Sequence, residues 1–194
     1  MVVVIVLVVV VVALALFAVS QYNKLIALKH SVENAWGQVN VQLKQRADLV
    51  PNLMATVKGA ADYEAGTLGA VTKLRAAAES VQSTTQAAQA DRTAAAQAAV
   101  DAAAKQFSVA LNSVHEAYPQ LTATVNFSQF QEQLTSMEER IGYARQAYND
   151  SVTELNVAIE QFPGSLFAGM AKAQPAEPFE LENASDAVAP RVQF

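Results

Sequence analysis

The sequence predicts an all-α protein, an N-terminal transmembrane helix continuing into an antiparallel helical bundle of four helices, or of three long ones. Three observations carry this. Val2 to Val19 are eighteen consecutive apolar residues, most of them valine and none charged. Beyond them, apolar residues recur at alternating steps of three and four, which is the mark of helices with one buried face. After residue 20 no segment shows the period of two that a strand requires.

The apolar run comes first because it constrains everything after it. As a helix at about 1.5 Å per residue it spans the roughly 30 Å hydrocarbon core of a bilayer, and only a helix satisfies its backbone there. A cleaved secretory signal is the competing reading. No Lys or Arg precedes the run, the run exceeds the usual length of such an apolar region, and only Ala13-Leu14-Ala15 offers a small-residue cleavage site. A buried core helix is excluded on size, since a helix apolar on every face must be wrapped on all sides. Residues 1–20 are therefore expected to be a retained anchor. Lys24, Lys29, Lys44 and Arg46 follow it, so the body is expected inside the cell.

Composition bounds what the body can be. Of 194 residues, the part between the anchor and a Pro-containing tail suffices for one domain, residues 21–163, with a genuine core. The absence of cysteine removes disulfides, thiolate metal sites and cysteine nucleophiles together. A net charge of -5 gives no reason to expect nucleic acid as a partner. Basic residues gather toward the anchor and acids toward the chain end, which suits a body standing on an anionic leaflet as well as an ordinary solvated surface.

The helices follow in order. Leu25, Leu28, Val32, Trp36, Val39 and Leu43 line one face of a helix that continues out of the membrane. Pro51 predicts a break or a bend, after which Leu53, Val57, Leu68, Val71 and Leu74 resume the pattern. Ser80 to Thr85 reads as a turn. Ala87 to Ala104 has the highest helix propensity in the chain and runs on into Phe107, Leu111, Val114 and Tyr118, predicting a single helix stopped by Tyr118-Pro119. The last helix carries Phe130, Leu134, Met137, Ile141, Ala144, Tyr148, Val152, Leu155, Ile159 and Phe162, and Phe162-Pro163-Gly164 ends it. Residues 164–194 are expected to be extended or disordered.

No constellation for catalysis is present. A di-metal carboxylate bundle needs inward Glu and Glu-x-x-His pairs, whereas only His30 and His115 exist and neither follows a Glu by three. A nucleophile elbow, a phosphate loop and a zinc-protease helix are equally absent, so the sequence names no catalytic, cofactor-binding or metal-ligating residue and no cofactor. Gly66 and Gly69, inside a helical pattern, suggest close packing or a bend. Arg46, Asp48, Asn52, Arg145, Asn149 and Asn156 lie on or beside apolar stripes. Interhelical bonding is the favoured role for them, and a ligand-sensing polar patch is the alternative. The chain ends in Val192-Gln193-Phe194, an apolar-x-apolar carboxyl end of the kind strand-adding domains accept, although packing on its own bundle is the plainer fate.

These same residues carry a family resemblance. The chain resembles the LemA family in Tyr22-Asn23, Ala35-Trp36, Val41-Gln42-Leu43-Lys44 and above all Arg46-Ala47-Asp48-Leu49-Val50-Pro51-Asn52-Leu53, and further in Tyr118-Pro119, Ala144-Arg145, Tyr148-Asn149, Asn156, Phe162-Pro163 and Phe179. The resemblance implies a single-pass bacterial inner-membrane protein with a helical body and no established catalysis. Relatives are linked to membrane-organelle formation in magnetic bacteria, and others are encoded beside a membrane zinc protease. The expected function is a membrane-anchored scaffold or adaptor that associates with membrane lipid and with copies of itself. The alternatives are a regulator or partner of a membrane protease and, least favoured, a metal-dependent enzyme.

Overall fold

The computed structural model describes residues 1–61, 68–90, 94–117 and 125–179. Among these, five helices follow one another: α1 (Val2–Ala61), α2 (Leu68–Ala90), α3 (Ala94–Ala117), α4 (Val125–Glu160) and a single turn, α5 (Gly164–Phe167). No strand is present among the described residues. The all-α architecture with an apolar N-terminal helix is as the sequence predicts.

The apolar run and the first amphipathic stripe form one unbroken helix. Its side chains from Val2 to Val19 are exposed, apart from a half-buried Ala18, and this part of α1 is long and apolar enough to cross a membrane. The core begins only at Leu25. From there α1 and α4 form the longest packed pair, α2 and α3 pack as a second pair, and α1 also meets α2. At the far end Val50 and Leu53 of α1, Leu74 and Val81 of α2, Phe107 and Leu111 of α3, and Phe127 and Phe130 of α4 share one apolar cluster. Nearer the span, Trp36, Val39 and Leu43 join Ala88, Val100, Ile141, Tyr148 and Val152. The four helices thus run up, down, up and down.

Of the two readings of Pro51, the break does not occur: one helix runs through it to Ala61, and α2 starts at Leu68. Pro51 is exposed, so its missing N–H lies on the solvent side, while Val50 and Leu53 on either side are buried and hold the helix together. Glu64 and Gly66 lie outside the described residues. Gly69 has open space around it, so close packing is not its role.

Ser80 to Thr85, expected to turn, lies inside α2. The hydroxyls of Ser83 and Thr84 donate to the carbonyl of Ser80 at 3.1 and 2.7 Å, and Thr85 is buried in register with Val81 and Ala88. The alanine tract is accordingly divided between α2, which ends at Ala90, and α3, which begins at Ala94. Alanine favours any helix and cannot mark where one stops. Tyr118-Pro119 and Val192-Gln193-Phe194 lie outside the described residues.

The pairs differ in length. With 23 and 24 residues, α2 and α3 are about 35 Å long, whereas α4 has 36 and is about 54 Å long. The hairpin therefore covers only the far part of the α1–α4 pair, and the flank nearer the span is covered by residues 164–179. Gly164 is buried against the end of α4, where any Cβ would collide with the carbonyl oxygen of Ala158. Lys172, at a left-handed φ of 48°, ends this coiled segment and releases the chain as an extended strap, residues 173–179. Gly164→Ala is expected to lower stability by about 1–3 kcal/mol through this overpacking, read as an earlier thermal melt by circular dichroism.

Candidate functional site

The groove between α1 and α4 grips the strap by its backbone. The Asn156 amide donates through Nδ2 to the carbonyl of Ala176 at 2.9 Å, and its Oδ1 accepts from the N–H of the same residue at 3.0 Å. Asn149 repeats the arrangement at Phe179, donating to its carbonyl at 3.2 Å and accepting from its N–H at 2.8 Å. Between them the Tyr148 hydroxyl donates to the carbonyl of Glu177 at 3.1 Å.

The spacing explains why two asparagines suffice. They stand seven residues apart, two helical turns or about 10.5 Å of α4. The residues they hold are three apart, about 10 Å of extended chain. Helix and strap therefore stay in step, and each side-chain amide stands where the edge of a neighbouring strand would. Such contacts are made to backbone atoms and set little demand on the side chains of the bound segment.

The ring of Phe179 adds the side-chain contacts. It stacks on Trp36 with centroids 5.5 Å apart and planes 15° apart, meets Tyr148 edge-on at 5.0 Å, and lies under the Arg145 guanidinium at 5.3 Å. Tyr148 also meets Trp36 edge-on at 5.5 Å, which fixes the three rings as one cluster. Arg145 is held in place by an ion pair with Asp101, tying α4 to α3. Small residues complete the fit: Ala171 and Ala173 are buried where the segment meets the helices.

The other singled-out polar residues stand apart from the groove. Arg46 is only 3% exposed and pairs with Glu138 across the α1–α4 contact at 3.1 Å. This is the interhelical bonding the sequence favours for it. Asp48 and Asn52 are exposed. His115 lies on the helix surface, stacked on Phe127 at 6.3 Å, and His30 pairs with Glu33 at 3.0 Å.

Sequence reasoning placed Arg145, Asn149 and Asn156 beside the stripe but looked to neighbouring helices for their partners. Arg145 does bridge to α3, whereas both asparagines turn to the strap. The missed signal is the seven-residue interval between two asparagines on one helix face. It becomes informative only beside the later segment Ala173-Gln174-Pro175-Ala176-Glu177-Pro178-Phe179, whose one aromatic residue is its last.

No curated protein matches this chain. The family model described as the LemA family matches residues 35–194, a range that includes the α1 motif, the whole bundle beyond it and the strap. On that match the chain belongs to the LemA family.

Proposed function

We propose that this protein is a membrane-anchored helical adaptor that assembles with further copies of itself, its body on the cytoplasmic side of the inner membrane, and that it performs no catalytic step. The observation that carries this reading is the paired asparagine clamp. The polar groups gathered at the groove are engaged in holding a polypeptide segment by its backbone, which is a docking task. The continuity of α1 supports it as well, because a helix of 60 residues passes rigidly from the apolar span into the core. So does a shallow groove between α2 and α3, of about 880 Å³, whose floor of Ala70, Ala76, Ala77 and Ala110 is flanked by Lys73 and Lys105. Such a groove offers an apolar floor and a positive rim to a further segment of protein. Lys24, Lys29, Lys44 and Arg46 after the span support the cytoplasmic placement.

The test is the size of the full protein in a mild detergent and in native-membrane discs, with cross-linking in intact membranes beside it. Multimers of this chain are expected in all three. A strict monomer that cross-links to nothing would remove the proposal. Protease added to sealed inverted vesicles should digest the body, and protease added to intact spheroplasts should not; the reverse pattern moves the body to the other side.

A further inference from the structure

The packing of α1 against α4 also fixes how high the end of α4 stands above the membrane, given the anchored reading on which this inference rests. Ser31 of α1 meets Ser151 of α4 at 3.3 Å, and Arg46 meets Glu138 at 3.1 Å. The helices are antiparallel, so each step forward on α4 is matched by a step back on α1. Phe162 lies eleven residues beyond Ser151 and twenty-four beyond Glu138. It therefore stands level with Ser20, eleven before Ser31, or with Tyr22, twenty-four before Arg46. Those residues follow directly on the apolar span.

Phe162 and the segment after it, which packs back on the last turn of α4 at Ala158, hold apolar side chains out into their surroundings. Phe162 is 79% exposed, Leu166 69% and Met170 65%. The stripe of α4 predicts Phe162 to be buried, yet it points away from the core. Apart from the span, seven large apolar side chains are exposed among the described residues, and these three fall within nine residues of one another. Fraying does not account for it. The backbone here carries a series of bonds, Ser165 N–H to Gln161 at 2.9 Å, Ala168 N–H to Gly164 at 3.0 Å and Ala171 N–H to Phe167 at 2.9 Å. Gly164, Ala168 and Ala171 face inward in the same stretch, so the outward set is held in place by the inward one.

We propose that the elbow of residues 162–170 is a second membrane contact, with Phe162, Leu166 and Met170 inserted at the boundary between headgroups and acyl chains of the leaflet from which α1 emerges. Ordered apolar side chains at that depth meet an environment suited to them, which water is not. Exposed Lys24 and Lys172 on the adjoining segments supply positive charge for anionic headgroups. Two points of contact hold the bundle at a set angle on the leaflet, which a single helix leaving the bilayer does not do.

Because the chain has no cysteine, single substitutions give unambiguous probe sites. Phe162→Cys, Leu166→Cys and Met170→Cys, each carrying an environment-sensitive fluorophore, are reconstituted as full-length protein in vesicles of phosphatidylethanolamine and phosphatidylglycerol. Some vesicles also contain lipids with a nitroxide near the headgroup end of the acyl chain. Leu14→Cys reports the span, and exposed Thr135→Cys reports the far part of α4. The expected result is a blue shift and several-fold stronger nitroxide quenching at the three elbow sites than at residue 135, with residue 14 inside the bilayer. Water-like, unquenched elbow probes beside a lipid-buried residue 14 overturn the elbow contact and leave the anchor standing. Elbow probes shielded from water but untouched by the lipid nitroxide overturn it too, because protein then covers the elbow. If residue 14 itself is outside lipid, the anchored reading fails and the elbow contact with it.

Discussion

Deletion of residues 2–19 is expected to move the protein from the membrane pellet to the supernatant after a carbonate wash, with the fold of the body unchanged by circular dichroism. The first core residue is Leu25 and the deleted side chains lie outside the packed body, so no core contact is lost. Carbonate-resistant attachment is lost, because eighteen residues span about 27 Å as a helix and no other described helix is both long and apolar enough to cross a membrane. Val8→Lys combined with Val12→Lys reaches the same end by another route. On insertion scales two central lysines cost about as much as a dozen valine-like residues contribute. The elbow cannot substitute for the span, since three interfacial side chains give attachment as reversible as that of a single acyl chain. A shortened protein that still sediments through carbonate would place the stable attachment elsewhere.

How much of this was legible in the sequence depends on which residues carry volume. The span was readable from its unbroken apolar run, and the α1 stripe from Leu25 to Leu43 and nearly the whole of α4 because most of their buried positions hold a large apolar side chain at helical spacing. The bends were not. Pro51 signals a break through its own backbone, but the packing of Val50 and Leu53 on either side outweighs that local cost. In α2 the Ser-Thr run signals a turn, yet its hydroxyls bond back to the same helix and Thr85 serves as a core position. Alanine compounds the difficulty, since a tract of it states that helix is favoured without stating where one helix ends. The site was half legible for a related reason. A polar residue beside an apolar stripe announces a buried bond, but the partner here is a segment of Ala, Pro, Gln and Glu ending in one Phe, and that composition reads as an unstructured tail.

Removing both clamp amides, as Asn149→Ala with Asn156→Ala, is expected to free the strap while the bundle stays folded. The double substitution takes away four hydrogen bonds, and at about 0.5–1.5 kcal/mol each the loss is about 2–6 kcal/mol. The N–H groups of Ala176 and Phe179 become ordinary solvent-exposed amides. Hydrogen exchange there should therefore quicken by at least about thirtyfold, as about 2 kcal/mol implies. The bundle bonds do not involve the strap, and Arg46 to Glu138 and Ser31 to Ser151 should persist. The protein carries its own reporter, since Trp36 is the only tryptophan and the Phe179 ring lies stacked on it. Its emission should shift to the red when the ring leaves, and Phe179→Ala should reproduce that shift with the asparagines intact. Lys172 gives an independent measure, because trypsin reaches the bond after an exposed lysine far more readily once the following segment swings free. Unchanged tryptophan emission and unchanged exchange at residues 176 and 179 in the double variant would mean that packing of the alanines and the ring holds the strap without the asparagines. The groove would then be a packing surface, and a docking role for it would lose its basis.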